Sequence, residues 1–567
     1  MKKFHLSYFL PLILFCLGEA HAQDSFINPI IPGGFPDPSI CRVGEDFYIV
    51  NSSFEYFPAL PIHHSKDLIN WELIGYGLNE NIYNSSINLS DVQQEGGIHA
   101  PSIRYNNGLF YIVTTNVYSP LDIRKDAIMA NFVITAKNPS GPWSEPHLIR
   151  GAPGIDPDIF FDDNGKVYFV GTHTPGNKFK DGIGAIWVQE LDLINWRLNG
   201  DRYTIWEGAC GGCCVEGPHI YKRNGNYYLV VAEGGTSFNH AVMISVSDSI
   251  NGVYESNPKN PILTSRHLSS DNWVNSTGHA DIVQLEDGRW VMVSLGVRNE
   301  IERSSNMGRE TFLIPIQWEE AISRWVENDQ GKWEPLIYDW PVAAPMTGKV
   351  ERYNPVIFEN THQRVQNYFY DDFESLKLDL NWNFRRVPRE KTYSLNAKKG
   401  FLRLYLKSQN FSSRKRYSLL GIRQKQTHFE FSTKMNFLPI NNGEEAGLSL
   451  FQKDNIYINY SILKRDKGIV LSLYKSDELG GVEILKEGFI GDFNGQLILK
   501  LNSAGAHYVF QCSKDDGKTF EEFHKVKNHI ILSQGYTGAY LGLYASSNGG
   551  DETSYADFDW CEYSDKR

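Results

Sequence analysis

Four side chains capable of acid–base chemistry recur at one position of an internal repeat. Asp37, Asp156, Glu216 and His279 each open a short pattern that runs through an isoleucine to a glycine and then an aromatic residue. Ala100 opens the remaining copy, and the five starts are 63, 56, 60 and 63 residues apart. Such a period, with a strand–turn–strand in each unit, indicates β-sheets arranged around one axis. The repeated position then faces that axis, where three carboxylates and a histidine meet.

Three carboxylates in one pocket of low dielectric cannot all stay ionised, because like charges and burial raise the pKa of at least one of them. A protonated carboxyl beside ionised ones is what hydrolysis of a glycosidic bond needs: one acid protonates the leaving oxygen and one carboxylate activates water. Copies one and four face each other across the ring and leave room for that water, which favours inversion. Taken alone, Asp37 and Asp156 suit turns, Glu216 a solvated loop and His279 a structural histidine. Their shared repeat position supports the catalytic interpretation.

The elements that position these side chains are short strands. Each repeat offers about four of them, with alternating polarity and turns rich in Gly, Asn and Asp. Hairpin turns are predicted at 106–108, 163–165, 224–225 and 287–288, because Asn-Gly and Asp-Gly accept the positive φ angles of such turns. The fold class is therefore all-β: a five-bladed β-propeller over residues 26–340, a proline-containing connector without strands over 341–364, and a β-sandwich over 365–567.

Composition limits the classes of partner. The 567-residue chain has a net charge of -12 and no basic stripe, so nucleic acid is not expected as a partner. Aromatic residues make up 13%, which suits a surface that stacks on sugars. Residues 1–22 resemble a secretory signal, with Lys2 and Lys3 before an apolar stretch and a cleavage motif at Ala20–Ala22, so we expect export. No membrane span is expected in the mature chain, and an oligomer is left open.

The cysteines give a weaker signal. Cys210, Cys213 and Cys214 form a cluster, but a zinc site usually needs a second pair, and none lies nearby in the sequence. A local disulfide or free buried thiols are expected instead. Cys512 and Cys561 lie in different strand-like runs, and the sequence leaves open whether they pair.

A series of motifs resembles a known family. They are Phe35-Pro-Asp-Pro-Ser39, Ser53-Phe-Glu-Tyr-Phe-Pro58, Ala100-Pro-Ser-Ile-Arg-Tyr105, Ile155-Asp-Pro157, Glu216-Gly-Pro-His-Ile-Tyr221, Thr277-Gly-His279 and Gly308-Arg-Glu-Thr-Phe-Leu313. In this order they resemble glycoside hydrolase family 43. The resemblance covers nearly the whole mature chain, including the concanavalin-like sandwich of the xylosidase branch.

The resemblance implies roles for the repeated acids. Asp37 would be the general base, Glu216 the general acid, and Asp156 would tune the pKa and orientation of that acid. His279 would approach a structural calcium or similar ion on the propeller axis. No cofactor is implied for the chemistry itself.

The resemblance also implies a substrate pocket. Arg309 would hold the sugar and the base, and Phe54 would line the pocket. Family members often carry an aromatic residue just before Ala-Pro, where this chain has His99, so the stacking platform and the sugar preference are in question. The segment Cys210–Cys214 would shape the wall of a subsite.

Three functions follow from these features. The first is an inverting exo-hydrolase that releases xylose from the ends of xylo-oligosaccharides. The second is an α-L-arabinofuranosidase that removes arabinose side groups. The third is a sugar-binding propeller without activity, which predicts a missing acid, whereas all three acids are present.

Overall fold

The computed structural model describes residues 25–566 except 84, 123–124, 174–183, 212, 365–367, 389–390, 412–413, 415–416, 478–480, 492 and 529–534. The predicted signal at 1–22 lies outside the described residues. Within the described part the protein is all-β, with one 3₁₀ turn at Glu80–Ile82. None of the helices described is long and apolar enough to span a membrane.

The amino-terminal half forms five four-stranded units, as the repeats predict, and β18 and β19 share the outer place in the fourth. Strands β1 to β6 are Ser25–Ile27, Ser39–Val43, Asp46–Val50, Tyr56–Phe57, Ala59–Ser65 and Glu72–Leu78. Strands β7 to β14 are Gly97–Asn106, Leu109–Tyr118, Ile128–Ala136, His147–Leu148, Ile155–Phe161, Val167–His173, Ala185–Asp192 and Arg197–Trp206. Strands β15 to β23 are Glu216–Arg223, Asn226–Glu233, Ala241–Ser247, Glu255–Ser256, Leu263–Thr264, Val274–Gln284, Trp290–Arg298, Glu310–Glu327 and Trp333–Ala343.

The five sheets close into a ring. Their first strands contact one another in the cyclic order β2, β7, β11, β15, β20 and back to β2. Each of these strands is the inner edge of its own antiparallel sheet. The ring is therefore a five-bladed propeller with the repeated segments around its axis, and the four predicted hairpin turns join the first two strands of blades two to five.

The backbone at the start of each inner strand is left-handed. The φ angles are 50° at Asp37, 35° at Ala100, 54° at Asp156, 58° at Gly217 and 48° at His279. In blades two to five the pairing register shifts at this point, as in a β-bulge. Non-glycine residues adopt this conformation at a cost, so its recurrence marks a functional position.

This register corrects one detail of the repeat. Gly217, and not Glu216, is the residue in phase with Asp37 and Asp156. Glu216 precedes that phase by one residue and pairs with Ala232 before the register shift. Its carboxyl therefore approaches the axis from a different backbone position than the two aspartates.

Residues of β1, the adjoining Asn28 and the segment 341–364 hold blade five in place. The Asn28 side-chain amide donates to the Leu313 carbonyl, and the Leu313 amide donates back to Asn28. Blade five ends at Ala343, three residues beyond the predicted limit. The segment 341–364 also contains a strand, β24 at Tyr353–Pro355, which pairs with β1. The prediction of a strand-free connector is wrong because β1 offered a free edge for pairing.

The carboxy-terminal half is a sandwich of two antiparallel sheets, one with β25, β27, β28, β30, β35, β36, β37 and β39, the other with β29, β31, β32, β33, β34 and β38. Strands β25 to β31 are Tyr368–Asp371, Phe384–Arg385, Tyr393–Ser394, Leu402–Tyr405, Ser418–Arg423, Phe429–Asn436 and Glu445–Lys453. Strands β32 to β39 are Ile456–Arg465, Gly468–Ser476, Val482–Phe489, Gln496–Ser503, His507–Ser513, Glu521–Lys527, Tyr540–Ser546 and Tyr555–Asp565. Their alternating apolar side chains fill the space between the sheets.

The two halves are joined by a buried polar clamp. Glu55 of the propeller and Arg385 of the sandwich form an ion pair at 3.1 Å, with both side chains 0% exposed. Arg385 and Arg386 also bind Asp454, at 3.0 and 2.9 Å. Beside the clamp, β4 of the propeller pairs with β26 of the sandwich segment. One apolar core continues across this boundary.

The described cysteines are all free. Cys512 and Cys561 cannot pair, because strands β35 and β30 lie between them through the pairs Leu499 with Cys512 and Thr433 with Cys561. Three strand spacings separate them by about 14 Å, far beyond the reach of a disulfide. Cys210 and Cys213 are free but exposed thiols, so the expectation of a disulfide or of buried thiols is wrong, because both residues lie in the surface loop between β14 and β15.

Candidate active site

Asp37 is an ionised carboxylate held from both sides. Arg309 Nη1 donates to Asp37 Oδ1 at 3.0 Å, and the Ser52 hydroxyl donates to Oδ2 at 2.6 Å. Ser52 in turn accepts the Ala100 amide at 2.7 Å, which fixes the direction of its hydroxyl. Burial would raise the pKa of Asp37, but Arg309, His279 and Ser52 together lower it below its ordinary value. Asp37 therefore suits a proton acceptor.

The pKa of Glu216 is shifted in the opposite direction from that of Asp37. Burial, followed by the negative charge of Asp37, raises the pKa of Glu216 to about 7. Burial and the neighbouring Glu216 also raise the pKa of Asp156 well above its ordinary value. Asp156 Oδ2 accepts the amide of Gly217 at 3.2 Å, so it holds the backbone next to Glu216. The pair keeps at least one proton near neutral pH, because two adjacent buried carboxylates do not both ionise.

His279 lies at the same centre, with Nδ1 3.9 Å from Asp37 Oδ1. A Cβ placed on Gly217 would stand 2.9 Å from the His279 ring, so only glycine fits between that ring and the strand carrying Glu216. Burial lowers the pKa of His279 to about 4 and keeps the imidazole neutral. Because the His279 ring is neutral, the ionised form of Asp37 is stabilised mainly by Arg309.

A second polar layer lies two residues further along the inner strands. Arg104 donates to Asp158 Oδ2 at 2.6 Å and to Asp281 Oδ2 at 2.8 Å, both of them buried carboxylates. Asp281 also accepts the Ser39 hydroxyl at 2.6 Å, and Asp158 lies 2.9 Å from His219 Nδ1. All five blades thus contribute to one network around the Arg104 guanidinium, which supplies positive charge on the axis below the site.

These residues do not suit the calcium ion that the family resemblance implies at this axis. Calcium takes six to eight oxygen ligands, and the carboxylates of Asp158 and Asp281 are already bound to Arg104. The polar atom left without a partner is a nitrogen, His219 Nε2. Among the described residues no group of three or more His, Cys, Asp or Glu side chains is arranged to hold a metal ion.

A small apolar wall faces the acids. Phe54 is 1% exposed, and its ring meets His99 edge-on at 4.8 Å and stacks on Tyr536 at 5.5 Å. The guanidinium of Arg309 lies 4.9 Å from the Tyr536 ring. His99 Nε2 lies 3.0 Å from the Glu95 carbonyl, and burial lowers the pKa of His99 to about 4, so the ring is neutral. His99 occupies an edge of the wall beside Phe54.

Tyr536 belongs to the sandwich and reaches the propeller through glycines. A Cβ on Gly538 would lie 2.1 Å from the Met307 carbonyl oxygen, and one on Gly308 would lie 2.5 Å from the Gly538 amide nitrogen. This close backbone approach carries Tyr536 to Arg309, whose Nε donates to the Tyr536 carbonyl at 3.4 Å. The sandwich therefore forms one side of the pocket.

The structure brings all seven sequence-predicted site residues to this one place: Asp37, Phe54, His99, Asp156, Glu216, His279 and Arg309. Sequence reasoning missed Tyr536, because it lies far along the chain from the other site residues and no local sequence pattern connects it with them. It also missed Asp158, His219 and Asp281, although each lies two residues beyond the repeated phase, where the alternation of a strand predicts the same face.

The arrangement can move protons in one direction. Glu216 is a carboxyl that keeps its proton near neutral pH, and Asp37 is a carboxylate that stays ionised well into the acid range. The two residues lie on non-adjacent blades. A ligand bound between them can receive a proton from Glu216 while Asp37 accepts one from water.

Comparisons with known proteins place both halves of the chain in described domain families. The model of Glycosyl hydrolases family 43 matches residues 26–321, and that of the Beta xylosidase C-terminal Concanavalin A-like domain matches 370–564. The chain is 38% identical over 554 residues to a xylosidase/arabinosidase of Butyrivibrio fibrisolvens, covering 94% of this chain and 98% of that protein. It is 35% identical over 562 residues to a non-reducing end alpha-L-arabinofuranosidase of Bacteroides ovatus, covering 98% of each. A crystal structure of xylan beta-1,4-xylosidase from Bacillus halodurans superposes with a TM-score of 0.83 at 27% identity, covering 95% of this chain and 100% of the other.

Proposed function

The chain belongs to glycosyl hydrolases family 43, and on that premise we propose that it is an exo-acting β-xylosidase that cleaves with inversion. The observation that carries the proposal is the opposite protonation of two carboxyls at one centre. Asp37 is bound by Arg309 and Ser52 and stays ionised, while burial raises the pKa of Glu216 to about 7.

The proposed reaction is a single displacement. Glu216 protonates the glycosidic oxygen as the bond to the sugar breaks. Asp37 takes a proton from the water that attacks the opposite face of the sugar. Asp156 positions the acid through the Gly217 amide, and Arg309 orients Asp37. We propose that the chemistry needs no metal ion or cofactor, since Arg104 already supplies the axial positive charge.

The wall around Tyr536 supports action at chain ends. Phe54, His99 and Tyr536 close one side of the pocket with rings from both domains. A pocket closed on one side accepts a terminal sugar more readily than the middle of a chain. We infer that xylo-oligosaccharides enter with their non-reducing end against this wall.

Removal of α-L-arabinofuranosyl groups is the second candidate. It is favoured by the Bacteroides ovatus relative, which matches 98% of this chain. Release from p-nitrophenyl β-D-xyloside and from p-nitrophenyl α-L-arabinofuranoside distinguishes the two. A large preference for the arabinoside would reject the xylosidase assignment and leave the acid–base assignment in place.

Replacement of the acid tests the mechanism. Glu216→Gln is expected to lower kcat/KM on xylobiose by about 10²–10⁴. The loss should be far smaller on the p-nitrophenyl substrate, whose leaving group needs little protonation. Glu207→Gln, at an exposed glutamate of the same segment, serves as the matched control. Equal losses on both substrates would discard the acid role of Glu216.

The stereochemistry is a separate test. Proton NMR of a fresh digest of a β-xyloside should show α-xylose first. Initial β-xylose would mean retention and would contradict the proposed roles of both carboxyls.

We also propose that the chain is exported and cleaved after Ala22. The motif at Ala20–Ala22 supports this. Amino-terminal sequencing of the protein from its native host should begin at Gln23, and an intact Met1 would reject it.

A further inference from the structure

Glu95 lies beside the substrate wall and has no part in the proposed reaction. It stands two residues before strand β7, and its φ of 58° is in the left-handed region that costs a non-glycine residue free energy. A strained residue of this kind persists where its surroundings hold it, and such residues cluster at functional sites. The contacts of Glu95 therefore indicate what the strain serves.

The carboxylate of Glu95 binds two groups of the sandwich. Its Oε1 accepts the Tyr536 amide at 2.8 Å and lies 2.8 Å from Lys453 Nζ. A Cβ on Gly535 would stand 2.6 Å from Glu95 Oε1 and 2.8 Å from Lys453 Nζ, so the glycine leaves the space that this ion pair fills. The carboxylate thus ties the Tyr536 backbone to the propeller across the domain boundary.

The backbone of Glu95 holds the propeller side of the same wall. Its carbonyl lies 3.0 Å from His99 Nε2. Because a carbonyl only accepts, Nε2 of this neutral ring carries the proton and Nδ1 is left as the acceptor. The Glu95 amide donates at 3.2 Å to Glu55, the residue next to Phe54. Glu95 therefore contacts His99 and Tyr536 directly, and Phe54 through its neighbour in the chain.

Tyr536 depends on propeller side chains for its place. Its amide donates to Glu95, and its carbonyl accepts from Arg309 Nε at 3.4 Å. The contact to Glu95 is the shorter one, and Arg309 is also bound to Asp37. Removal of the carboxylate would leave the Tyr536 amide without its acceptor and Lys453 without its counter-charge. The ring that faces the substrate would then lose its fixed position.

We propose that Glu95 is a positioning residue of the substrate wall, whose carboxylate fixes Tyr536 of the sandwich in the pocket built on the propeller. The proposal rests on the proposed function only in that the wall binds the terminal sugar. Glu95 acts on substrate affinity through Tyr536 and leaves the acid and the base in place.

A double-mutant cycle on kcat and KM for xylobiose tests this role. Glu95→Ala removes the carboxylate and keeps the backbone contacts, so it should raise KM about threefold to tenfold and keep kcat within about twofold. In the Tyr536→Ala background the same change should raise KM by less than about twofold, because the ring that Glu95 positions is absent. A wild-type KM in Glu95→Ala, or equal effects in both backgrounds, would overturn the positioning role.

Two variants separate positioning from stability. Glu95→Gln keeps an oxygen that accepts the Tyr536 amide, so it should restore most of the affinity lost in Glu95→Ala. A glutamine variant no better than Glu95→Ala would transfer the effect to Lys453 and overturn the proposal. Glu190→Ala, at an exposed glutamate paired with Lys166 at 2.7 Å on blade three, should change neither constant. Partial unfolding lowers the apparent kcat and leaves KM unchanged, so that pattern in Glu95→Ala would make Glu95 structural only.

Binding without turnover keeps this test apart from that of the proposed function. The cycle is repeated in the Glu216→Gln background, with the Kd of xylobiose and of arabinobiose measured by calorimetry. A Kd that rises with Glu95→Ala only where Tyr536 is present keeps the positioning role, even if the wild-type protein hydrolyses neither sugar and the proposed function falls. A Kd that ignores Glu95→Ala overturns the role, even if hydrolysis proceeds as proposed. Absence of binding by both sugars overturns both proposals.

Discussion

Replacement of Arg309 by methionine should move the acid limb of the pH–activity profile upward. Arg309 lies 3.0 Å from Asp37 and keeps the pKa of that buried carboxyl below its ordinary value of 3.8. Opposite charges about 4 Å apart interact by about 4 kcal/mol at an effective dielectric constant of 20. Since 1.36 kcal/mol corresponds to one pKa unit, removing the guanidinium should raise the pKa of Asp37 by about two to three units.

The direction follows from which form is active. The base must be ionised, so kcat/KM falls as pH drops through the pKa of Asp37. In the wild-type protein that fall lies below pH 3.8, and in Arg309→Met it should lie at a clearly higher pH, because the buried carboxylate has lost its main counter-charge. The basic limb is set by Glu216 at about pH 7, so the bell should narrow.

The assay is kcat/KM on xylobiose between pH 3 and 9, corrected for inactivation by re-assay at one pH. Arg309→Lys is the matched control, because it keeps the charge, and its acid limb should stay close to that of the wild type. The position of the limb, and not the height of the profile, is the readout, since Arg309 also contacts the substrate wall. An acid limb shared by wild type and Arg309→Met would refute the assignment of Asp37 as the base.

Four further tests probe the pocket and the axis. Tyr536→Ala should raise KM about threefold to tenfold through loss of the ring, while Tyr536→Phe should keep most of the affinity; equal KM values for the two would remove the ring from the site. Gly538→Ala should lower both Tm and kcat/KM, because its Cβ would lie 2.1 Å from the Met307 carbonyl oxygen, whereas Gly488→Ala, whose nearest neighbour lies at 3.5 Å, should be mild. Dialysis against EDTA should leave kcat/KM unchanged, and calcium-restored activity would contradict the proposed metal-free chemistry. Arg104→Met should destabilise the chain by about 3–5 kcal/mol in denaturant unfolding, as expected when one partner of a buried ion pair is removed.

The propeller could be predicted because its signal is periodic. The segments that open at Asp37, Ala100 and Asp156 repeat their turn residues and strands at nearly constant spacing, and the ring follows from repetition. The exact register could not be predicted, since a bulge adds one residue without changing composition. That is why Glu216 was placed in phase with the aspartates, although Gly217 holds the left-handed position.

Contacts between distant segments escaped the sequence for a different reason. β24 pairs with β1 across more than 300 residues, and Tyr536 approaches Arg309 across 227 residues. Neither contact depends on a local pattern, because each joins segments that are far apart in the chain. The strand-free connector was wrong for this reason, and the aromatic wall was predicted only in part.

The buried clamp between Glu55 and Arg385 has a consequence for how the protein can be divided. The propeller expressed alone would leave the Glu55 carboxylate uncompensated in an apolar surface, whereas Arg385 would keep Asp454 in the sandwich. Each half would also present a bare strand edge, at β4 or at β26. Each fragment would then be prone to aggregate rather than behave as an autonomous module. This junction is therefore a poor place to divide the chain, and the catalytic ring and its companion sandwich should fold and be purified as one body.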